Sequence, residues 1–178
     1  MLVPAIVYKA ELEKKFALMA YDEKMSMYLC GSIEHFQLYI QPLDNDRIFQ
    51  YAVVNDHEEL VGYIEYRLDL YDSTAWRWGL MSFKNDPAFP TAVRQILDKL
   101  INEVHIRRMT FGVMNDNPVK RHYDRFAKRF NRFYTHEFHE VTRDSSGNYH
   151  DYTEYEIFPQ EGIHWSEHLR KERMNSNG

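Results

Sequence analysis

The run TAVRQILDKLINEVH, from Thr91 to His105, constrains this chain more than any other segment. Ala92, Val93, Ile96, Leu97, Leu100, Ile101 and Val104 recur there at three- and four-residue steps. A helix formed by the run has one apolar face and needs a sheet to pack on. Upstream lie IFQYAVV from Ile48, then LVGYIEYRLDLY, then AWRWGLMSF, with turns at Asn55 to Glu58 and at Asp72 to Ser73. β-branched and aromatic residues at this spacing predict an antiparallel three-strand meander. Downstream, MTFGVM predicts a short strand ending at Asn115 to Asn117, and Pro118 fits the first turn of a second helix. Val119, Tyr123, Phe126, Ala127 and Phe130 are the inward stripe of that helix. The expected fold is therefore α/β (α+β), a mixed, mostly antiparallel central sheet flanked by helices.

The flanking segments complete this plan. A short opening strand is expected around Ile6 to Tyr8, followed by a helix from Glu11 to Met19 with Leu12, Phe16 and Met19 on one stripe. Between Met25 and Leu38, Ser32 can cap another helix whose third residue is His35. In the middle meander run, Leu60, Gly62, Ile64, Tyr66 and Leu68 should face one side, and Val61, Tyr63, Glu65, Arg67 and Asp69 the other. FYTHEFHEV and YTEYEIF, joined by DSSGN, read as a closing hairpin. With 178 residues the chain suits one domain over residues 1–160, and the polar tail 161–178 carries at most a short helix around Trp165 to Arg173.

Composition narrows the setting. No apolar run approaches the roughly 20 residues of a membrane helix. The opening residues also lack the parts of a signal peptide, so a cytoplasmic, membrane-free protein is expected. Cys30 is the single cysteine; it excludes an intrachain disulfide framework and reads as a small buried residue. A net charge of −5 disfavours a general polyanion binder and leaves a cationic substrate open. Nucleic acid is disfavoured as a partner for the same reason, and no reading motif accompanies the basic residues.

The order strand, helices, three-strand meander, helix, strand, helix and closing hairpin resembles the GNAT superfamily of acyl-CoA-dependent N-acetyltransferases, over roughly Ile6 to Phe158. Its most specific piece is MNDNPVKRHYDRF, similar to the family segment in which an Asn precedes a helix bearing a Tyr; Asn117 and Tyr123 match those positions. The resemblance implies a splay between the fourth and fifth strands, AWRWGLMSF and MTFGVM, joined by a right-handed crossover, with a bulge at Gly79. It also implies that acetyl-CoA, as co-substrate, lies along the edge of the fourth strand at Leu80, Met81 and Ser82. Backbone N–H groups near Gly79 to Met81 would hold the oxyanion.

In one place the chain departs from the family. Where family members carry R/Q-x-x-G-x-G/A, this sequence has Asn85, Asp86, Pro87, Ala88, Phe89, Pro90, Thr91 and Ala92. No glycine is present, two prolines lack an N–H, and an acid has been added. The helix start should still offer the free N–H groups of Thr91, Ala92 and Val93 to phosphate.

The implied reaction is acetyl transfer to a primary amine of a small molecule or peptide by direct attack, with Tyr123 as general acid and Glu65 as base. Tyr123 can equally be a helix tyrosine packed on the sheet, and Glu65 a merely solvated or ion-paired carboxylate, with Asp69 the second candidate. Tyr63, Tyr66, Trp76 and Trp78 either line an amine pocket or belong to the core. The alternative function is a catalytically silent GNAT-like binding or protein-interaction module; a homodimer stays open. The basic run Lys120, Arg121, Arg125, Lys128, Arg129 and Arg132 reads as a solvated helix face that could otherwise meet cofactor phosphates. In HEFHE, His136 and His139 point to opposite faces of a regular strand, so no metal is expected unless a bulge intervenes.

Overall fold

The computed structural model describes residues 1–19, 21–28, 33–34, 37–41 and 47–161. One sheet of seven strands organises them: β1 (Leu2–Pro4), β2 (Ile48–Val54), β3 (Leu60–Asp69), β4 (Thr74–Ser82), β5 (Arg108–Met114), β6 (Phe133–Arg143) and β7 (Tyr149–Ile157). Their spatial order is β1-β2-β3-β4-β5-β7-β6, so the last strand in sequence sits inside the edge. Neighbours are antiparallel except β4 and β5, which run parallel. The helices are α1 (Lys9–Met19), α2 (Glu23–Tyr28), α3 (Ala88–Asp98), continued by a π turn over Lys99–Glu103, and α4 (Lys120–Ala127). This is the mixed, mostly antiparallel architecture expected from the sequence.

Each helical stripe finds its sheet. Ala92, Ile96 and Leu97 of α3, with Leu100 and Ile101, pack against Ile64, Tyr66 and Leu68 of β3 and Met109, Phe111 and Val113 of β5. The α4 stripe joins the same core through Tyr123, Phe126, Ala127 and the following Phe130. On the opposite face, Leu12 and Phe16 of α1 cover Ala52, Val54, Leu60 and Tyr63. The expected alternation along β3 holds from Gly62 onward but fails at its start. Val54 pairs with Leu60 while Val53 pairs with Gly62, so Val61 is an extra residue. Leu60 and Val61 therefore exchange the faces assigned to them, and Val61 joins the α3 core.

A second bulge shapes the centre of the sheet. Glu65 pairs with Gly79 and Arg67 with Trp76, so β4 spends three steps where β3 spends two. The surplus falls at Arg77–Trp78, two residues before the Gly79 position expected, and Arg77 adopts φ +51°. Bulged strands bend and twist, and β4 pairs with β5 only at Thr74 with Arg108 and Ala75 with Met109. Beyond those two rungs the strands diverge, which is the splay anticipated between the fourth and fifth strands. A third irregularity sets His139, Glu140 and Val141 of β6 opposite Asp151 alone, with Glu140 at φ +53°.

Three local expectations are corrected. The opening strand lies at Leu2–Pro4, and Ala5–Tyr8 forms a 3-10 turn instead of a strand. Ile33–Glu34 and Gln37–Leu38 pair as two short antiparallel strands where a helix was expected; Ser32, His35 and Cys30 lie outside the described residues, as does the tail beyond Glu161. Helix α3 begins at Ala88, three residues earlier than its apolar periodicity suggests, because Pro90 is tolerated in a first turn.

Gly62 is the tightest point of the α3 packing. A Cβ there would lie 2.3 Å from the ring of Phe89 and 2.8 Å from the carbonyl oxygen of Met81. Gly62→Ala should therefore cost about 1–3 kcal/mol through overpacking, read as a lowered denaturant midpoint. A midpoint equal to that of the parent protein would mean that the first turn of α3 shifts without penalty.

Candidate active site

Two cavities meet in the gap between β4 and β5. The larger, of about 340 Å³, is lined by Met27 and Tyr28 of α2, Trp76 to Trp78 and Leu80 of β4, Thr110 to Met114 of β5, Asn117, Val119, Tyr123, and Tyr152 and Glu154 of β7. The smaller, of about 180 Å³, lies between α3 and α4 and is almost wholly apolar, with Val93, Leu97, Met109, His122 and Phe126 among its walls. Trp78, Leu80, Phe111 and Tyr123 line both. The larger cavity thus reaches from the splay toward α2, and the smaller lies behind the shared walls between α3 and α4.

Local chemistry fixes the walls. Tyr123 packs edge-on to Phe111, with ring centres 5.1 Å apart, and to Tyr155 at 6.2 Å. Tyr155 stacks on Phe111 and donates its hydroxyl to Asp124, which ties α4 to β7. Burial, then the Asp124 carboxylate, pushes the Tyr155 phenol well above its ordinary range, so it keeps its proton. Asn117 lines the larger cavity and accepts the Val119 N–H through Oδ1 at 3.0 Å, while its carbonyl accepts the Lys120 N–H at 2.9 Å. Gly112 has no room for a Cβ, which would fall 2.0 Å from the Tyr152 hydroxyl oxygen. The missing side chain lets Tyr152 lie across β5 into the cavity.

Comparison with solved structures identifies the frame. The spermidine N-acetyltransferase of Vibrio cholerae, solved in complex with CoA and spermine, superposes with a TM-score of 0.61 at 14% sequence identity, covering 83% of this chain and 90% of its own. A GCN5-related N-acetyltransferase from Brucella melitensis superposes with a TM-score of 0.50 at 19% identity, over 66% and 54% of the two chains. The fold is that of the GNAT acetyltransferases. No family model matches the sequence, and no curated protein matches it.

On this GNAT frame, the residues singled out from sequence do not all converge. Tyr123, Asn117 and Leu80 line the larger cavity. Met81 packs against the α1 core instead, and the Ser82 hydroxyl donates to the Lys84 carbonyl at 2.6 Å. Glu65 is 0% exposed and is absent from the lining of both cavities. Its carboxylate accepts the Tyr63 hydroxyl at 2.6 Å and the Gln50 amide at 3.2 Å, on the α1 face. It is placed as the anchor of a buried polar cluster and not as a base facing the gap. Of the aromatic residues considered, Tyr63 and Tyr66 belong to the core while Trp76 and Trp78 line the cavity.

The phosphate end also differs from expectation. Thr91, Ala92 and Val93 do not present free amides, because α3 starts three residues before Thr91. The Thr91 N–H donates to the Pro87 carbonyl at 3.3 Å, and Ala92 and Val93 fall in the second turn, where amides point to carbonyls four residues back. The first-turn donors are used as well: Ala88 N–H donates to Asp86 Oδ1 at 2.8 Å and Phe89 N–H to the Asp86 carbonyl at 3.2 Å. The Ala88 amide, then the Asn55 side chain, hold the Asp86 carboxyl below its ordinary range. A carboxylate of the chain itself occupies the helix end where phosphate was expected.

The basic run lies largely on the solvent side of α4. Lys120 pairs with Asp124 at 3.2 Å, and Arg121 and Arg125 approach the two ring nitrogens of His122 at 3.4 and 3.0 Å, only one of which can accept. Burial, then Arg125 and Arg121, lower the pKa of the His122 imidazole, so the group on the wall of the smaller cavity is neutral at pH 7. Around the third bulge, Glu137, His139 and Asp151 bring one ligand atom each within 4.8 Å of one another, a grouping across two strands that the spacing of His136 and His139 along one strand does not reveal. His139 donates to Asp151 at 3.2 Å and Glu137 accepts from Asn115 at 2.7 Å. Among the described residues no helix is long and apolar enough to cross a membrane.

Asn117 can be tested as the residue that sets α4. Asn117→Ala removes the acceptor of the Val119 N–H and should cost about 0.5–2 kcal/mol, measured by urea denaturation. Unchanged stability would mean that solvent replaces the turn at no cost.

Proposed function

We propose that this chain is an N-acetyltransferase that moves an acetyl group from acetyl-CoA to a primary amine by direct attack. The observation that carries this reading is the pair of cavities meeting in the β4–β5 gap and sharing Tyr123. A two-substrate transfer needs two approaches to one point, and two cavities with Tyr123 in their common wall suit that need.

Acetyl-CoA supplies an activated acetyl thioester. The apolar walls between α3 and α4 suit its pantetheine arm, and the edge of β4 that β5 leaves beyond Ala75 faces the gap, where the arm's amides can meet it. The amine approaches from the α2 side, past Tyr28, Trp76 and Tyr152. The amine attacks in its uncharged form; as its nitrogen bonds to the acetyl carbon, backbone N–H groups of β4 near Gly79 to Met81 take the charge developing on oxygen, and the nitrogen then releases its surplus proton to solvent. When the carbon–sulfur bond breaks, Tyr123 gives its phenolic proton to the departing sulfur. A phenol is almost wholly protonated near pH 7, so Tyr123 begins the step with the proton it gives.

Turnover of Tyr123→Phe at saturating acetyl-CoA should fall by about 100- to 10,000-fold. The ring and its contacts with Phe111 and Tyr155 remain, so stability should change little. An unaltered rate, under conditions where chemistry limits turnover, would reduce Tyr123 to a packing residue.

The filled end of α3 makes weak cofactor binding the second expectation. Asp86→Ser removes the negative charge and leaves a hydroxyl that can still accept the Ala88 N–H. Calorimetry should show acetyl-CoA binding several-fold tighter to this variant, as expected when a like charge near phosphate is removed. Equal affinity would place the phosphates away from α3, at the Arg121 and Arg125 rim of the groove.

A further inference from the structure

The larger cavity carries two charged side chains, Glu154 from β7 and Arg77 from the β4 bulge. Among the described residues neither makes a hydrogen bond or ion pair, although most charged groups around them are engaged. Two positions along β7, Glu156 is held by Arg108 at 3.2 Å and lies 3.8 Å from His136. Asp116 meets His150 at 3.3 Å, and Asp124 meets Lys120. Glu154 and Arg77 do not pair with each other either. Their strands flank β5, which sets the backbones about 10 Å apart or more. The left-handed backbone of Arg77 is the kind of strain that a scaffold retains where a side chain must be aimed.

Opposite charges held apart across one cavity match a ligand that carries both. The rings of Tyr28, Trp76 and Tyr152 line the same cavity and suit an apolar or aromatic body. We propose that the acceptor is a zwitterionic primary amine, an amino acid with an apolar or aromatic side chain, whose ammonium group meets Glu154 and whose carboxylate meets Arg77. This rests on the acetyltransferase reading for the word acceptor, but the recognition itself does not require acetyl-CoA. A polycation is disfavoured here because Arg77 repels its second charge.

Calorimetry on the full chain without cofactor tests the idea, using L-phenylalanine, L-phenylalaninamide, 3-phenylpropionate and 1,4-diaminobutane. L-phenylalanine should bind best, with the two singly charged analogues each about tenfold or more weaker, the usual effect of removing one charged hydrogen-bond partner. Glu154→Gln should erase the preference for L-phenylalanine over 3-phenylpropionate, and Arg77→Gln the preference over the amide. Glu156→Gln, on the same strand and outside the cavity, should change neither. Should Arg77→Gln fail to fold, Glu154→Gln alone still decides. No L-phenylalanine binding at about 10 mM, equal binding of the amide, or tighter binding of the diamine overturns the proposal. Amino-acid binding without acetyl transfer would instead sink the enzymatic reading and leave this site standing.

Discussion

The surplus residue at Arg77–Trp78 is the constraint on which the centre of the molecule depends. Without it β4 would stay in register with β3 and could run beside β5 for its whole length, closing the gap with backbone hydrogen bonds. With it the parallel pairing stops after two rungs. The cost is local and offset on both sides: β4 keeps four regular pairs with β3 beyond the bulge, and β5 is held by six pairs with β7. The sheet therefore tolerates an opening at its middle because each lip is supported from outside.

The α3–α4 layer turns that opening into a shaped cleft. Helix α3 crosses from the end of β4 to the start of β5, and its apolar face forces the crossover onto one side of the sheet. Helix α4 leaves the far end of β5 through the Asn117 turn and is fixed to β7 by Tyr155 and Asp124. Tyr123 is thus positioned from three directions, by its own helix, by Phe111 beneath it and by Tyr155 beside it. The α1 side differs: there Gln50, Tyr63 and Glu65 form a buried polar cluster linked by hydrogen bonds, and Gln50 ties it to the backbone of Tyr39 and Gln41.

Much of this was legible in the sequence, and the failures have physical causes. Strand and helix identities from Ile48 to Ile157 follow from period-two and period-3.6 patterns, and the splay was expected from the family resemblance that their order carries. Bulges leave no mark in such patterns, which is why Leu60 and Val61 exchanged faces and why Arg77 was passed over in favour of Gly79. The start of α3 was hidden because Pro87, Ala88 and Pro90 carry no apolar periodicity, so the amides of Thr91, Ala92 and Val93, which bond to carbonyls of the preceding turn, were expected to be free. Glu65 looked like a candidate base because strand position says nothing of what encloses a side chain. Glu154 was missed although Tyr152, Glu154 and Glu156 alternate with Thr153, Tyr155 and Ile157, because that alternation cannot say whether the polar face meets solvent or a cavity.

The bulge in β6 has a consequence for how the molecule meets its own kind. β6 is the outermost strand, eleven residues long and exposed for most of its length, with Tyr134 and Phe138 among its uncovered rings. A straight edge of that length is a template on which a foreign strand could zip up indefinitely. His139, Glu140 and Val141 break it, since three residues opposite one rotate the edge's donors and acceptors out of line. Among the described residues of β6, the stretch from Phe133 to Phe138 keeps a regular register, so the bulge limits how long a strand this edge can template.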